Sequence, residues 1–137
     1  YQMSSDAFAH CVHRLPALAT AVGRYNLAAH LLTSQSAACY RFHDLEARAA
    51  RWLLMTSDRT GSNEVTLTQE FLGQMLGAYR PSVTVALRAL DARGLISVRR
   101  NRIVILDRPG LTATSCECYA VVLAQSGELN QQPLSEV

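Results

Sequence analysis

The stretch "LTQEFLGQMLGAYRPSVTVALRALDARGLI", residues Leu67 to Ile96, divides into two helical segments around one tight turn. Thr68 suits the cap of the first segment, Leu67 can staple onto Leu72, and Glu70 sits near the positive helix end. Gly73 leaves room for a second helix to cross closely, and Gly77 supplies the left-handed residue that ends the first. A proline disfavours helical conformation in the residue before it, so Arg80 is expected as the boundary residue. Pro81 then opens the second helix, where its missing N–H costs nothing. With residues placed about 100° apart, Val83, Ala86, Leu87 and Leu90 share one side. Pro81, Ser82, Thr84, Val85, Arg88 and Ala92 share the other. This outer face is small, hydroxylated and basic, with Val85 as its one larger apolar group.

Such groups suit the major groove of duplex DNA. Arg80 and Arg88 can fork onto guanine, Ser82 and Thr84 can bond base edges or phosphates, and Val85 can touch a thymine methyl. The unpaired N–H groups of the helix start favour a phosphate. The pattern predicts a helix-turn-helix with the second helix as reader and Thr68 near the backbone of the duplex. After Gly94 the period becomes strand-like. "LISV" and "IVIL" flank "RRNR", which reads as a β-hairpin with Arg99, Arg100 and Arg102 at its tip. A basic hairpin beside a reader helix is a wing, and its arginines would hold phosphates without telling sequence.

Charge placement agrees. The 137 residues carry a formal net charge of only +2. Seven arginines against two aspartates between Arg80 and Arg108 make a local balance of +5, which leaves −3 for the remainder. A basic half on a near-neutral chain points to a polyanionic partner. The chain has no lysine, so every fixed side-chain cation is a guanidinium.

Upstream, Ser5 to Arg14 reads as a short helix with Ser5 as N-cap and Asp6 in its first turn. Pro16 suits the start of a longer one. Along it, Leu15, Leu18, Val22, Tyr25, Ala29, Leu32, Ser36 and Cys39 recur in steps of three and four, a heptad seam of the kind that joins two helices lengthwise. Leu27 and Leu31 add a second apolar stripe. The expectation is a homodimer seam carried by Leu15, Leu18, Val22, Tyr25, Ala29 and Leu32. Leu45, Ala49, Trp52, Leu53 and Met55 mark another amphipathic helix, closed by the turn-rich "SDRTGSN" at 57–63. The ending "SGELNQQPLSEV" reads as a loose tail. The organisation expected is therefore helices over 1–43, a winged helix-turn-helix over 44–110 and a C-terminal extension over 111–137. The fold class is mainly α with a small β-hairpin wing, preceded by a long dimerisation helix.

Other chemistry finds little footing. The cysteines at 11, 39, 116 and 118 fit neither a paired zinc pattern nor a disulfide framework, so free reduced thiols are expected. "HCVH" at 10–13 does not place its ligands on one helical face, and Cys116 and Cys118 stand two apart. No metal site and no cofactor are expected. No nucleophile, base and acid come together, and there is no phosphate loop, so catalytic residues are none. No apolar run reaches the length of a membrane span. Because the first residue is Tyr1, the chain is expected to begin inside a longer protein.

From about Leu15 to Tyr119, with "RRNRIVILDRPGL" and "CECY" following the helix-turn-helix, the chain resembles the C-terminal half of Crp/Fnr-type bacterial transcription regulators. That resemblance implies a cytoplasmic, dimeric, DNA-binding regulator, whose family pairs an N-terminal β-roll sensor with a long dimerisation helix and a winged helix-turn-helix. Double-stranded DNA and RNA polymerase are the partners it implies. Family members often carry arginine, glutamate and a second arginine along the reader. Here Arg80 fits the first, but Pro81 stands for the acid and Val85 for the second arginine, so the family's usual operator is not implied. Two rivals keep the same fold. One is a protein-interaction module using Pro81 and Val85. The other is RNA or single-strand binding, although the reader face offers no aromatic for stacking.

Overall fold

A computed structural model describes residues 2–131. Two helices open the chain, α1 (Ser5–Arg14) and α2 (Pro16–Phe42). Then come α3 (Leu45–Thr60), β1 (Glu64–Thr66), α4 (Gln69–Leu76) and α5 (Arg80–Ala92). The hairpin β2 (Ile96–Arg99) and β3 (Arg102–Ile105) is followed by α6 (Arg108–Thr114) and α7 (Cys118–Gln131). Among the described residues, 35–121 form one compact unit, and 2–34 group with 122–131 in another.

The first unit holds α1 and most of α2. Ser4, not Ser5, caps α1: it is extended and its hydroxyl accepts the Ala7 N–H at 3.3 Å. Leu15 lies at the break between the two helices rather than inside the long one, and its carbonyl accepts the first N–H of α2, from Ala19. Along α2, Tyr25 and Leu27 are exposed, whereas Leu18, Val22, Ala29 and Leu32 are half-buried.

The second unit is the winged helix. Its core joins Ala49, Ala50, Leu53 and Leu54 of α3 to Leu72 and Leu76 of α4 and to Val83, Leu87 and Leu90 of α5. Val65, Ile96, Ile103 and Ile105 close it from the sheet. Fully burying each leucine contributes about 1.5–3 kcal/mol. Asp44 caps α3 through the Ala47 N–H, and the helix runs on to Thr60 before Gly61 turns left-handed at φ 65°. Most of the stretch expected as a turn at 57–63 is thus helical. The hydroxyls of Thr56 and Thr60 bond back to carbonyls four residues earlier, which lets those turn-favouring residues stay in the helix.

The sheet has three antiparallel strands in the order β1-β3-β2. The hairpin was expected, but β1 was not: three residues are too few for an alternating pattern to register. Val65 pairs with Ile103 and points into the core. Beyond the wing, Asp107 caps α6 through the Gly110 N–H. The expected loose tail is helical as far as Gln131, as the end of α7; the rest of that expectation, 132–137, lies outside the described residues.

Candidate nucleic-acid interface

The site begins with the turn. Thr68 caps α4 by accepting the Phe71 N–H at 3.1 Å, and Leu67 joins the core cluster that holds Leu72. Gly77 ends α4 at φ 58°, and the next N–H, from Ala78, reaches back to the Gly73 carbonyl at 2.9 Å. A side chain at Gly73 would put its Cβ 2.7 Å from the Ala78 carbonyl oxygen, so only glycine fits under this turn. Three residues, Gly77 to Tyr79, separate the helices.

The boundary residue of α5 is Tyr79, one place earlier than expected. The Tyr79 carbonyl accepts the first helical N–H, from Val83, so Arg80 is already helical and Pro81 occupies the second position. Pro81 still costs nothing there, because that N–H would have no partner within the helix. Tyr79 offers no side-chain cap. The N–H groups of the first turn therefore face outward with the helix dipole behind them.

The two faces of α5 divide as the spacing predicts. Val83, Ala86, Leu87 and Leu90 are buried, while Arg80, Pro81, Ser82, Val85 and Arg88 are exposed, Val85 to 68%. Thr84 is half-buried, and its hydroxyl lies 2.7 Å from Gln69 Oε1 and 3.0 Å from the Arg80 carbonyl, a position that favours holding α5 against α4. Sequence reading missed Gln69, since this contact crosses the turn. It also missed Tyr79, 86% exposed beside the reader face. Only its place in the turn could have flagged it.

The wing ends in a two-residue turn, Arg100 and Asn101, with Asn101 left-handed at φ 56°. Arg99 and Arg102 face each other across the hairpin, a like-charge pair that is relieved on one side. Glu64 on β1 holds Arg102 at 2.8 Å. Thr68, Gln69, Arg80, Arg99 and Arg100 line one shallow hollow between the start of α4 and the wing, with Glu70 as its acid. The structure thus brings reader start and wing tip to one edge.

The seven arginines of this half fall into two sets. Arg80, Arg88, Arg99 and Arg100 have no carboxylate within ion-pair distance among the described residues. Arg93 pairs with Glu46, Arg102 with Glu64 and Arg108 with Asp58. Arg108 also donates to the Tyr119 hydroxyl at 3.1 Å, which itself donates to Asp58 at 2.8 Å. Burial, foremost, and the Asp58 carboxylate push the Tyr119 phenol above its ordinary range.

The expected dimer residues all belong to the first unit. Two further members of the heptad seam are used within the second: Ser36 accepts from Arg51 at 2.8 Å, and Cys39 is fully buried. The stripe free for a partner helix therefore ends near Leu32, not at Cys39. Among the described residues, no helix is long and apolar enough to cross a membrane.

Residues 47–114 match the Crp-like helix-turn-helix domain family. Among solved structures, the chain is similar to a Crp/Fnr-family transcriptional regulator from Eubacterium rectale, with 23% identity and a TM-score of 0.64 over 80% of this chain and 51% of that one. It is also similar to a CRP-family transcriptional regulator from Thermus thermophilus, with 24% identity and a TM-score of 0.53 over 82% of this chain and 55% of that one. At such identities the likeness is one of fold. The chain spans about half the length of either structure. No curated protein sequence matches it.

Proposed function

We propose, from the match of residues 47–114 to the Crp-like helix-turn-helix domain family, that the chain carries the DNA-reading part of a sequence-specific transcription regulator that grips a near-palindromic operator as a homodimer. The observation that carries this reading is the outer face of α5, where Arg80, Ser82, Val85 and Arg88 stand exposed, with neither arginine in an ion pair among the described residues.

In the proposed complex α5 enters the major groove. Arg80 forks onto a guanine near the start of the helix and Arg88 reaches a base or phosphate two turns further. Ser82 and the free N–H groups of the first turn take a phosphate, and Val85 and Pro81 meet base methyls or sugar. Thr68 lies where α4 crosses the backbone. At the wing, Arg99 and Arg100 hold phosphates on the neighbouring stretch. Arg102 contributes less, because Glu64 already neutralises it.

One winged helix covers one half-site. Two copies joined through α2 would read halves about 34–36 Å apart. Exposed Leu15 and Tyr25, with half-buried Leu18, Val22, Ala29 and Leu32, supply the apolar stripe for that pairing. As a bacterial regulator, the protein would act in the cytoplasm.

Sedimentation equilibrium of the parent and of Leu32→Glu, combined with binding to a selected duplex, tests this reading. The parent should be dimeric, and Leu32→Glu should shift it to monomer and weaken the full palindrome more than a half-site, since an unpaired charge is costly to bury. A parent that is monomeric at tens of micromolar and still binds the palindrome tightly would exclude the dimer. Association that ignores salt would favour the protein-interaction module instead.

A further inference from the structure

The reader edge leaves one cluster of reactive side chains unused. At the end of α2, Cys39 and His43 lie one helical turn apart on one face; the His43 N–H still bonds to the Cys39 carbonyl at 3.1 Å. Cys116 lies in the link between α6 and α7, and Cys118 opens α7. Folding gathers all four within residues 35–121, although 77 positions separate Cys39 from Cys116.

We propose that Cys39, His43, Cys116 and Cys118 form a closed tetrahedral binding site for a single Zn²⁺ ion. Their ligating atoms all lie within 4.8 Å of one another. Cys39 Sγ is 3.5 Å from Cys116 Sγ, and Cys118 Sγ is 3.5 Å from His43 Nδ1. Four ligands around one zinc, at Zn–S of about 2.3 Å and Zn–N of about 2.0–2.1 Å, would stand roughly 3.5–3.8 Å apart. An iron–sulfur cluster distributes its ligands over two or four irons and would spread them wider. Three sulfurs and one imidazole are soft, and they match zinc better than magnesium, calcium or manganese.

The surroundings repeat the same logic. His43 Nε2 is 3.0 Å from Glu117 Oε1, so the carboxylate holds the proton on that nitrogen and leaves Nδ1 free to ligate. Gln35, one turn before Cys39, donates its amide to Cys118 Sγ at 3.0 Å, as a thiolate would require. Buried cysteines alone pack as small hydrophobes. Hydrophobic packing does not explain an imidazole aimed into three sulfurs with its far nitrogen held by an acid. All four positions come from the protein and the cysteines are buried, so the ion has no open position for a substrate and its role is structural. On binding, the three thiols lose their protons to solvent and the imidazole binds in its neutral form. The metal would tie residues 39–43 to the start of α7.

Anaerobic titration of the reduced full chain with Co²⁺, followed by displacement with Zn²⁺, tests the proposal. The expected result is one equivalent of Co²⁺ giving intense tetrahedral visible bands with thiolate-to-cobalt charge transfer, all bleached by one equivalent of Zn²⁺. Cys116→Ser and His43→Ala should lose the tight site, while Cys11→Ser should match the parent. Glu117 is exposed, so Glu117→Gln will keep the fold; it should retain the bands but bind roughly 10–100-fold more weakly. Weak octahedral bands without charge transfer would overturn the site. So would a Cys116→Ser titration identical to the parent, or an unchanged affinity in Glu117→Gln.

Discussion

Arg80 and Arg88 on α5, with Arg99 and Arg100 at the wing tip, are exposed side chains that no described carboxylate neutralises. Arg93, Arg102 and Arg108 come from the same short stretch of chain, yet each is committed to an acid. Counted along the sequence the seven are equal. In the fold, Arg80, Arg99 and Arg100 of the first set line a single edge, while Arg88 stands exposed further along α5. The other set fastens elements together: Arg93 joins α5 to α3, and Arg108 joins α6 to α3 and α7. The difference teaches that a local charge balance overstates what a polyanion can use. Here three of the seven cations are largely cancelled at home.

The comparison breaks altogether if the scaffold beneath α5 fails. Leu87 is fully buried between the helices, and Leu87→Ala should cost about 2–5 kcal/mol of stability, read by urea denaturation. DNA binding should fall with it only where the domain unfolds. A loss of binding at full foldedness would mean that α5 is held by something other than its buried face.

The free set is sharpened by Arg80→Ala, which should cost roughly 1–3 kcal/mol on a matched site and relax specificity at one base pair. Competition among single-base variants of the site reads this directly. Equal loss on every sequence would make Arg80 a phosphate contact.

The committed set has its own test in Tyr119→Phe. The change removes hydrogen bonds to Asp58 and Arg108 and should cost about 0.5–1.5 kcal/mol. The Tyr119 pKa is raised in the fold, by burial first and then by Asp58. Folding therefore favours the neutral phenol, so its contribution is intact below the ordinary tyrosine value of about 10 and is lost as pH rises through the folded value. Melting curves of the parent should fall more steeply above about pH 10 than those of Tyr119→Phe. DNA affinity at neutral pH should be unchanged.

Much of the reader is legible because its signals are local. Thr68, Gly77 and Pro81 each act on backbone within four residues, and the buried and exposed faces of α5 follow from spacing alone. The boundary slips by one residue because a proline's restriction on Arg80 gives way when Tyr79 accepts the first helical bond. Contacts that cross the chain leave no trace. Nothing near Arg102 announces Glu64, nothing near Thr84 announces Gln69, and the Cys39 group reads as separate thiols because its halves meet only after folding. The seam is overextended for the same reason. Ser36 and Cys39 keep the heptad period, but their partners lie within the chain.

The most direct measurement is the salt dependence of duplex binding for two double variants, Arg99→Gln with Arg100→Gln and Arg93→Gln with Arg108→Gln. Each phosphate contact contributes about 0.9 to the slope of log K against log salt. The first variant should therefore lower the magnitude of that slope by nearly two, and the second should leave it as in the parent while reducing stability. Equal slopes in both variants, or a loss confined to the Arg93 and Arg108 pair, would contradict the assignment of the DNA-facing edge to α5 and the wing tip.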